Sequence, residues 1–457
     1  MRRLSSAAAL MMLLLLMPVG FVPAQAATAG GGSATFNTPR PYGGRSANFA
    51  IVNRVVRAIN GVPRHQKGKP REVITIATYL LDHTPTVTAL VNACRRGVEV
   101  RVIIDEDIMN RNARRLISTL NGDNVPDRNH DGKADRKPRA RPCNRPLKKD
   151  RATTSAGRES GTRSNRTMSA QRTIHSVDAP LNDSITWGQD GSYVKRCHPS
   201  CRSRHGNMHM KIYLFSHTGK QRDVVMVSSS NLNRGGAFLG WNDMYVMNNR
   251  PKSYAEYVKL HRLMTRGTLA PKDRIEIADG PYTTRFFPMR DAGINRDPTL
   301  SDLKKIKCKS AFGPTRINIS MFYWKGRRGN YLADKVLGLA HAGCQVSIVY
   351  GAPSRQIAAR LRAAAGHGLI NLYDSRWDYN EDGWSEVRTH SKFVLVRGNY
   401  EGNPKKWVVM TGSPNWVAGS LSKGDEVTLN IELKSAYTAY LRNWERIRAH
   451  SRKLPYG

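Results

Sequence analysis

The sequence is short of acids. Only 35 Asp and Glu stand against 73 Lys and Arg in 457 residues, a formal net charge of +38. Such a surface attracts polyanions: nucleic acid, anionic lipid headgroups or acidic cell-wall polymers. No apolar run of membrane-spanning length follows the first residues, which excludes a multi-span membrane protein. Glycine (38) and proline (23) are too few for a collagen-like or low-complexity chain, and 40% hydrophobic residues exclude global disorder. No cysteine precedes Cys94, so lipid attachment at a processed N-terminal cysteine is excluded. What is present is length enough for two large domains with buried cores.

The N-terminus reads as an export signal. Met1, Arg2 and Arg3 form a basic start, residues 10–22 are an apolar stretch broken by Pro18 and Gly20, and Ala24-Gln25-Ala26 is an A-x-A cleavage site. A signal peptide over 1–26 and a secreted mature chain are therefore expected. Export places Cys94, Cys143, Cys197, Cys201, Cys308 and Cys344 in an oxidising compartment. Cys308 and Cys344 flank one strand-helix segment and are expected to pair. Cys197 and Cys201 can close a small loop, which leaves Cys94 for Cys143. A rival for part of this set is zinc, because Cys197, Cys201, His205 and His209 recur every four residues.

The chain repeats itself. Ile74-Thr75-Ile76-Ala77-Thr78-Tyr79 resembles Ile317-Asn318-Ile319-Ser320-Met321-Phe322, at an offset of 243, and both alternate like half-buried strands. A helical stretch follows each, then a second strand, 97–104 or 343–350. Strand-helix-strand order implies a right-handed crossover, hence two α/β lobes related by an approximate twofold, over 27–270 and 271–457. Farther on the offset drops. His209-Met210-Lys211 answers His390-Ser391-Lys392 at 181, Ser229-Ser230-Asn231 answers Ser413-Pro414-Asn415 at 184, and Asp243 answers Glu426 at 183. The first half thus carries about 65 extra residues, placed over roughly 106–175. Within them, residues 136–172 hold 12 Lys or Arg and two acids, and read as a mobile basic surface insertion.

The repeated residues carry chemistry. In each half, His-x-Lys opens an apolar alternating run, and residues i and i+2 of a strand face the same side. Imidazole and ammonium therefore point together. Ser229, Asn231, Ser413 and Asn415 end the next strand and can donate to an oxyanion. The downstream acid of each half, Asp243 or Glu426, can bind one nitrogen of its own half's histidine and set the tautomer. One His-x-Lys signifies little; two copies with matched Ser-x-Asn and acid are hard to produce by chance.

On these motifs the sequence resembles the phospholipase D superfamily, whose signature is His-x-Lys-x4-Asp twice, each followed by Gly-Ser-x-Asn. The similarity runs from about residue 73 to the C-terminus. It implies a two-lobed α/β fold whose two motifs meet at one interfacial cleft. It also implies a metal-independent phosphodiesterase working through a phosphohistidine, with His209 as nucleophile and His390 as acid. Ser216 and Arg397 stand at the motif's Asp positions and Ser228 at the first Gly. Tyrosyl-DNA phosphodiesterases of the same family also lack that Asp.

Two loops suggest calcium. Asp127, Asn129, Asp131, Gly132 and Asp135 follow D-x-N-x-D-G-x-x-D, and Asp378, Asn380, Asp382, Gly383 and Glu386 follow D-x-N-x-D-G-x-x-E. Both match the first nine positions of an EF-hand-type loop but lack its final bidentate Glu, so a polar turn is the alternative. Any calcium is expected to be structural, with none required for catalysis. Trp187, Tyr193, Trp241 and Trp416 lie near the motifs, either as contacts for lipid or a choline headgroup or as ordinary core. The leading expectation is a secreted phospholipase D acting on phospholipids, monomeric and without an obligate protein partner. The alternative is a secreted nuclease of the same family, acting on DNA or RNA; a non-enzymatic cationic binder of anionic surfaces ranks below both.

Overall fold

The computed structural model describes residues 32–107, 109–121 and 191–454, with Cys143 and the short pairs Val125–Pro126 and Ile185–Thr186. The leader, most of the basic insertion, the first calcium-type loop (Asp127, Asn129, Asp131, Asp135) and Trp187 lie outside the described residues.

The repeated segments are strands, as their alternation requires. In the first lobe the strands are β1 (Gly32–Phe36), β2 (Val73–Thr78), β3 (Glu99–Asp105), β4 (Tyr193–Cys197), β5 (Lys211–Thr218), β6 (Gln221–Ser228) and β7 (Asp243–Met247). They lie in the order β1-β7-β6-β5-β2-β3-β4. The second lobe has β8 (Ile275–Asp279), β9 (Tyr282–Phe287), β10 (Arg316–Trp324), β11 (Gln345–Pro353), β12 (Asn371–Asp374), β13 (Lys392–Tyr400), β14 (Asn403–Gly412), β15 (Glu426–Ile431) and β16 (Arg452–Leu454). Their order is β8-β9-β15-β14-β13-β10-β11-β12-β16, and Ile306–Lys307 pairs with β13 as a tenth strand. The run β7-β6-β5-β2-β3-β4 therefore repeats as β15-β14-β13-β10-β11-β12. Each core contains two parallel pairs, β2-β3-β4 and β10-β11-β12, the first pair of each joined across α1 (Thr84–Arg95) and α2 (Gly326–His341) respectively.

β2 is buried along five of its six residues rather than on one face. The reason is that both faces of each sheet are covered. Ile74 and Ile76 face an outer helical layer, whereas Ala77 belongs to a cluster shared by the two lobes. That shared layer holds α3 (Pro251–Thr265) and α4 (Lys434–Ala449), with Tyr257, Leu260, Tyr440 and Trp444 buried between the sheets. Their polar tips are used in matching ways: His261 Nε2 meets the Ile76 carbonyl at 3.1 Å and Trp444 Nε1 donates to the Ile319 carbonyl at 2.9 Å.

The cysteines pair as expected: Cys94 with Cys143, Cys197 with Cys201, and Cys308 with Cys344. The first ties the basic insertion to the helix of the first crossover. The second removes the zinc alternative, since both thiolates are spent and His209 sits at a strand entry rather than on a helix. No helix among the described residues is long and apolar enough to cross a membrane.

Candidate active site

Two short parallel contacts between the lobes place the histidines. Met208 bridges to Asp425, and Arg388–Thr389 pairs with Gly240–Trp241. Each histidine thus leaves its own lobe beside the segment that ends the other lobe's motif. The Trp241 carbonyl accepts from both His390 N and Ser391 N at 2.9 Å.

The orienting groups cross over. His209 Nδ1 lies 2.9 Å from Glu426 Oε2, and His390 Nδ1 lies 2.8 Å from Asn242 Oδ1. The expectation that each acid serves its own half's histidine is therefore wrong, and Asp243 serves neither. Asp243 Oδ2 accepts from Thr411 Oγ1 at 2.6 Å and from the Tyr440 hydroxyl at 3.0 Å, in the buried seam between lobes. Matching acid to acid put the second register at 183, whereas the Ser-x-Asn offset of 184 pairs Asn242 with Glu426. The backbone confirms 184: Ser229 N donates to the Asp243 carbonyl and Ser413 N to the Val427 carbonyl, each at 3.0 Å.

The network fixes both tautomers. Asn242 Nδ2 donates to the carbonyls of Gly236 and Gly240, each at 3.0 Å, so its Oδ1 must face His390. Buried Asn37 holds that arrangement, accepting from Asn242 N at 2.7 Å. Both imidazoles therefore carry hydrogen on Nδ1 and offer Nε2 to a ligand.

The serines brace these partners instead of facing an oxyanion. Ser229 Oγ lies 3.3 Å from Asn242 Oδ1 and accepts from Asp243 N at 3.0 Å. Ser413 Oγ accepts from Val427 N at 3.1 Å and hydrogen-bonds Glu426. Asn231 and Asn415 keep their expected position at the strand ends. Asn415 Oδ1 accepts from Tyr323 N at 3.2 Å, which leaves its amide NH2 as a donor. Asn231 Oδ1 is buried without a hydrogen bond. At the first motif's Gly position Ser228 fits because its Oγ donates to the Asp243 carbonyl at 2.7 Å. Gly412 has no such freedom: at φ 146° a Cβ would meet the Val427 carbonyl at 2.1 Å.

Lys211 and Lys392 are buried, and each ammonium donates to the carbonyl of its own histidine. Burial pushes Lys211 down to about 7, against the pull of Glu426 and Asp105. Burial and then the charge of Lys211 hold Lys392 well below its ordinary value. His390 is likewise driven well down by burial, then by Lys392, Lys211 and His209. His209 is lowered by burial, which the Glu426 carboxylate opposes. Burial also opposes ionisation of Glu426, yet His209, Lys211 and Ser413 hold it at about 2. Two lysines and two imidazoles act on one another in this buried site and burial disfavours their charged forms, so a bound anion would favour their protonation.

Two rings went unrecognised in the sequence. Tyr79 lies 5.4 Å from His209 and under Lys211, and Phe322 lies 4.8 Å from His390 and under Lys392. They end the two repeated hexapeptides at the same offset of 243, which was the available signal. The aromatics named from the sequence are core: Tyr193, Trp241 and Trp416 are all buried. The missing motif acids matter little here, because Ser216 and Arg397 stand five residues beyond Lys211 and Lys392, about 17 Å along a strand. Ser216 bonds Val73 N and Glu72, and Arg397 covers the Phe312 ring.

Among the described residues, the second calcium-type loop gathers ligands: oxygens of Asp378, Asp382 and Glu386 lie within 4.8 Å of one another. Asp378 Oδ1 is buried with no hydrogen bond.

A family model described as the phospholipase D-like domain of cardiolipin synthase matches residues 308–448. No curated protein sequence matches the chain. Among solved structures, a phosphatidylserine synthase from Haemophilus influenzae Rd KW20 aligns at 12% identity and TM-score 0.52, over 93% of this chain and 88% of that one. A polyphosphate kinase from Porphyromonas gingivalis aligns at 11% identity and TM-score 0.49, over 91% of this chain, which spans 50% of the kinase's length. A phospholipase D family member, Nuc, from Salmonella typhimurium aligns at 17% identity and TM-score 0.27, over 38% of this chain and 99% of that one. Residues 308–448 thus match a phospholipase D-like domain, and the first lobe repeats its strand order and its His-x-Lys motif.

Proposed function

We propose that the protein is an exported phosphodiesterase that hydrolyses the headgroup phosphodiester of phospholipids. The observation that carries the reading is the crossed pair, His209 with Glu426 and His390 with Asn242, set between two buried lysines. A phosphodiester brings a negative charge that favours the protonated forms of the lysines and of His390. Lys211, Lys392 and the Asn415 amide then neutralise its non-bridging oxygens, which a Lewis acid would otherwise do. Three disulfides and the A-x-A leader support export.

The asymmetry of the partners supports His209 as nucleophile. Attack of its Nε2 on phosphorus leaves a cationic ring with hydrogen on Nδ1, and the Glu426 carboxylate stabilises that cation. As the phosphorus–oxygen bond to the headgroup breaks, protonated His390 gives the Nε2 proton to the leaving alcohol oxygen. His390, held by a neutral amide among cations, yields a proton readily; the bound phosphate offsets the charges that otherwise keep it neutral. Water then loses a proton to His390 and attacks phosphorus, releasing phosphatidate and restoring His209. Calcium, on this reading, binds Asp378, Asp382 and Glu386 and serves stability rather than chemistry.

The +38 charge and the basic residues of 136–172 favour a second reading, a secreted nuclease with the same machinery. Lipid is preferred on the cardiolipin synthase family model and the lipid-synthase fold neighbour. A side-by-side assay on phosphatidylcholine vesicles and on single- and double-stranded DNA, with and without EDTA, separates them. Free choline and phosphatidate are expected; cleaved DNA with intact lipid would replace the lipid reading by the nuclease.

A further inference from the structure

Among the described residues, few large hydrophobic side chains are well exposed, and three of them share one loop. Trp384 is 66% exposed, Trp377 47% and Tyr379 40%; Leu269 and Ile294 stand elsewhere. Scattered apolar residues on a surface need no explanation, but three exposed aromatics within eight residues concentrate apolar surface on one loop. We infer that residues 377–387 are a docking loop that seats its aromatic tips in the headgroup layer of a zwitterionic phospholipid surface. The inference rests on the lipid reading above and says how that substrate is met.

The loop is built to present its tips rather than fold them away. Trp377 and Val387 exchange backbone hydrogen bonds at 2.8 and 3.1 Å, closing its base. Gly383 N donates to Asp378 Oδ2 at 2.7 Å and Trp384 N to Asp382 Oδ1 at 2.9 Å, turning the tip outward. Tryptophan and tyrosine combine an apolar body with a polar edge, the pairing favoured at a membrane–water boundary.

Two features select lipid over a nucleic acid that could stack on the same rings. The loop carries Asp378, Glu381, Asp382 and Glu386, a local negative charge on an otherwise basic protein, and it repels a polyphosphate backbone. A zwitterionic headgroup layer has no net charge to repel. The base of the loop also leads straight to the chemistry. Thr389 N donates to Ser375 Oγ at 3.0 Å, the Arg388 guanidinium lies 5.3 Å from the centre of the Phe322 ring, and that ring is 4.8 Å from His390. A surface holding the aromatic tips holds its headgroups beside the cleft.

The test compares the wild-type chain with Trp384→Ser and with Trp377→Ser/Tyr379→Ser/Trp384→Ser. Each is measured for co-sedimentation with phosphatidylcholine vesicles, for hydrolysis of those vesicles, and for hydrolysis of the water-soluble diester bis(p-nitrophenyl) phosphate. The single variant should bind vesicles several-fold more weakly and the triple variant at least tenfold. Vesicle hydrolysis should fall in parallel, with soluble-diester turnover and melting temperature unchanged. Wild-type partitioning in both variants, or quenching of Trp384 by a single-stranded oligonucleotide and not by vesicles, would overturn docking. Equal lipid hydrolysis by all three proteins would overturn it while leaving the lipid reading intact. Loop-dependent vesicle binding with DNA cleaved and lipid untouched would do the reverse.

Discussion

The two half-sites share a backbone plan and differ in charge. In each, a histidine leaves its strand beside the other lobe, a lysine caps the histidine carbonyl, an aromatic ring lies alongside, and a serine braces the partner of Nδ1. One partner is the Glu426 carboxylate and the other the Asn242 amide. Duplication supplies two imidazoles, and the acid–amide difference makes them unequal. A symmetric pair would have no preferred direction of proton flow; on the mechanism proposed, one ring becomes a cation and the other gives up a proton.

Removing the rings is the largest way to break the comparison. His209→Ala should lower turnover by about 10⁴-fold or more on every diester. His390→Ala should be as damaging on an alkyl leaving group. It should recover much of its rate on a p-nitrophenyl ester, whose leaving oxygen needs no proton. Steady-state rates on the two substrates measure the split; equal rescue of both variants would remove the assigned roles. The next largest effect comes from the partners. Glu426→Gln makes the halves alike and should cost on the order of 10³-fold in kcat, by analogy with losing the carboxylate of a catalytic triad. Asn242→Ala should cost about tenfold to a hundredfold. Asp243→Ala tests the register: it strands the hydroxyls of Thr411 and Tyr440 and should cost about 1–3 kcal/mol of stability. Its kcat should hold.

How much of this was legible in the sequence follows from what a repeat encodes. The lobes, the repeated strand-helix-strand units, the three disulfides and the His, Lys and Asn positions were readable, because apolar alternation and repeated motifs record them directly. The crossing of partners was not. A sequence offset aligns residues within each half, whereas the orienting bonds run between halves, and which lobe supplies an acid is a property of their packing. Asn242 was hidden beside Asp243, since a search for matched charge passes over an amide one residue away. The aromatics near the motifs took the core alternative: Trp241 and Trp416 end up buried at the lobe interface.

The lysines give a pH test of anion binding. Lys211 sits at about 7 in the folded protein against an ordinary 10.5, so between these values the unfolded chain binds a proton that the fold excludes. Stability from this group should therefore rise as pH climbs from about 7 towards 10.5, and Lys211→Met should flatten that rise in chemical denaturation curves. An anion between the lysines reverses the preference. Binding of inorganic phosphate or tungstate at pH 8 should take up protons and weaken as pH rises. Calorimetry in buffers of different ionisation enthalpy measures the uptake, and wild-type binding without it would mean that the lysines are charged before the anion arrives.

The smallest expected effect compares calcium at one loop with catalysis beside it. Asp378, Asp382 and Glu386 bring three carboxylates together, and a cation there relieves their repulsion and gives the buried Asp378 oxygen a partner. A ligand bound only by the native state stabilises by RT ln(1 + [L]/Kd), about 2.7 kcal/mol at a hundredfold excess over Kd. Calcium should therefore raise the melting temperature and EDTA lower it, while initial rates on a soluble diester at low temperature stay unchanged. Asp382→Asn should abolish the calcium-dependent shift. Val387, Arg388 and Thr389 are all that separate this loop from His390, so the same experiment tests their independence. An immediate loss of rate on chelation, restored by calcium and absent in the Asp382 variant, would show that the ion sets the position of the His390 ring. The asymmetry between the half-sites would then include a metal as well as a carboxylate.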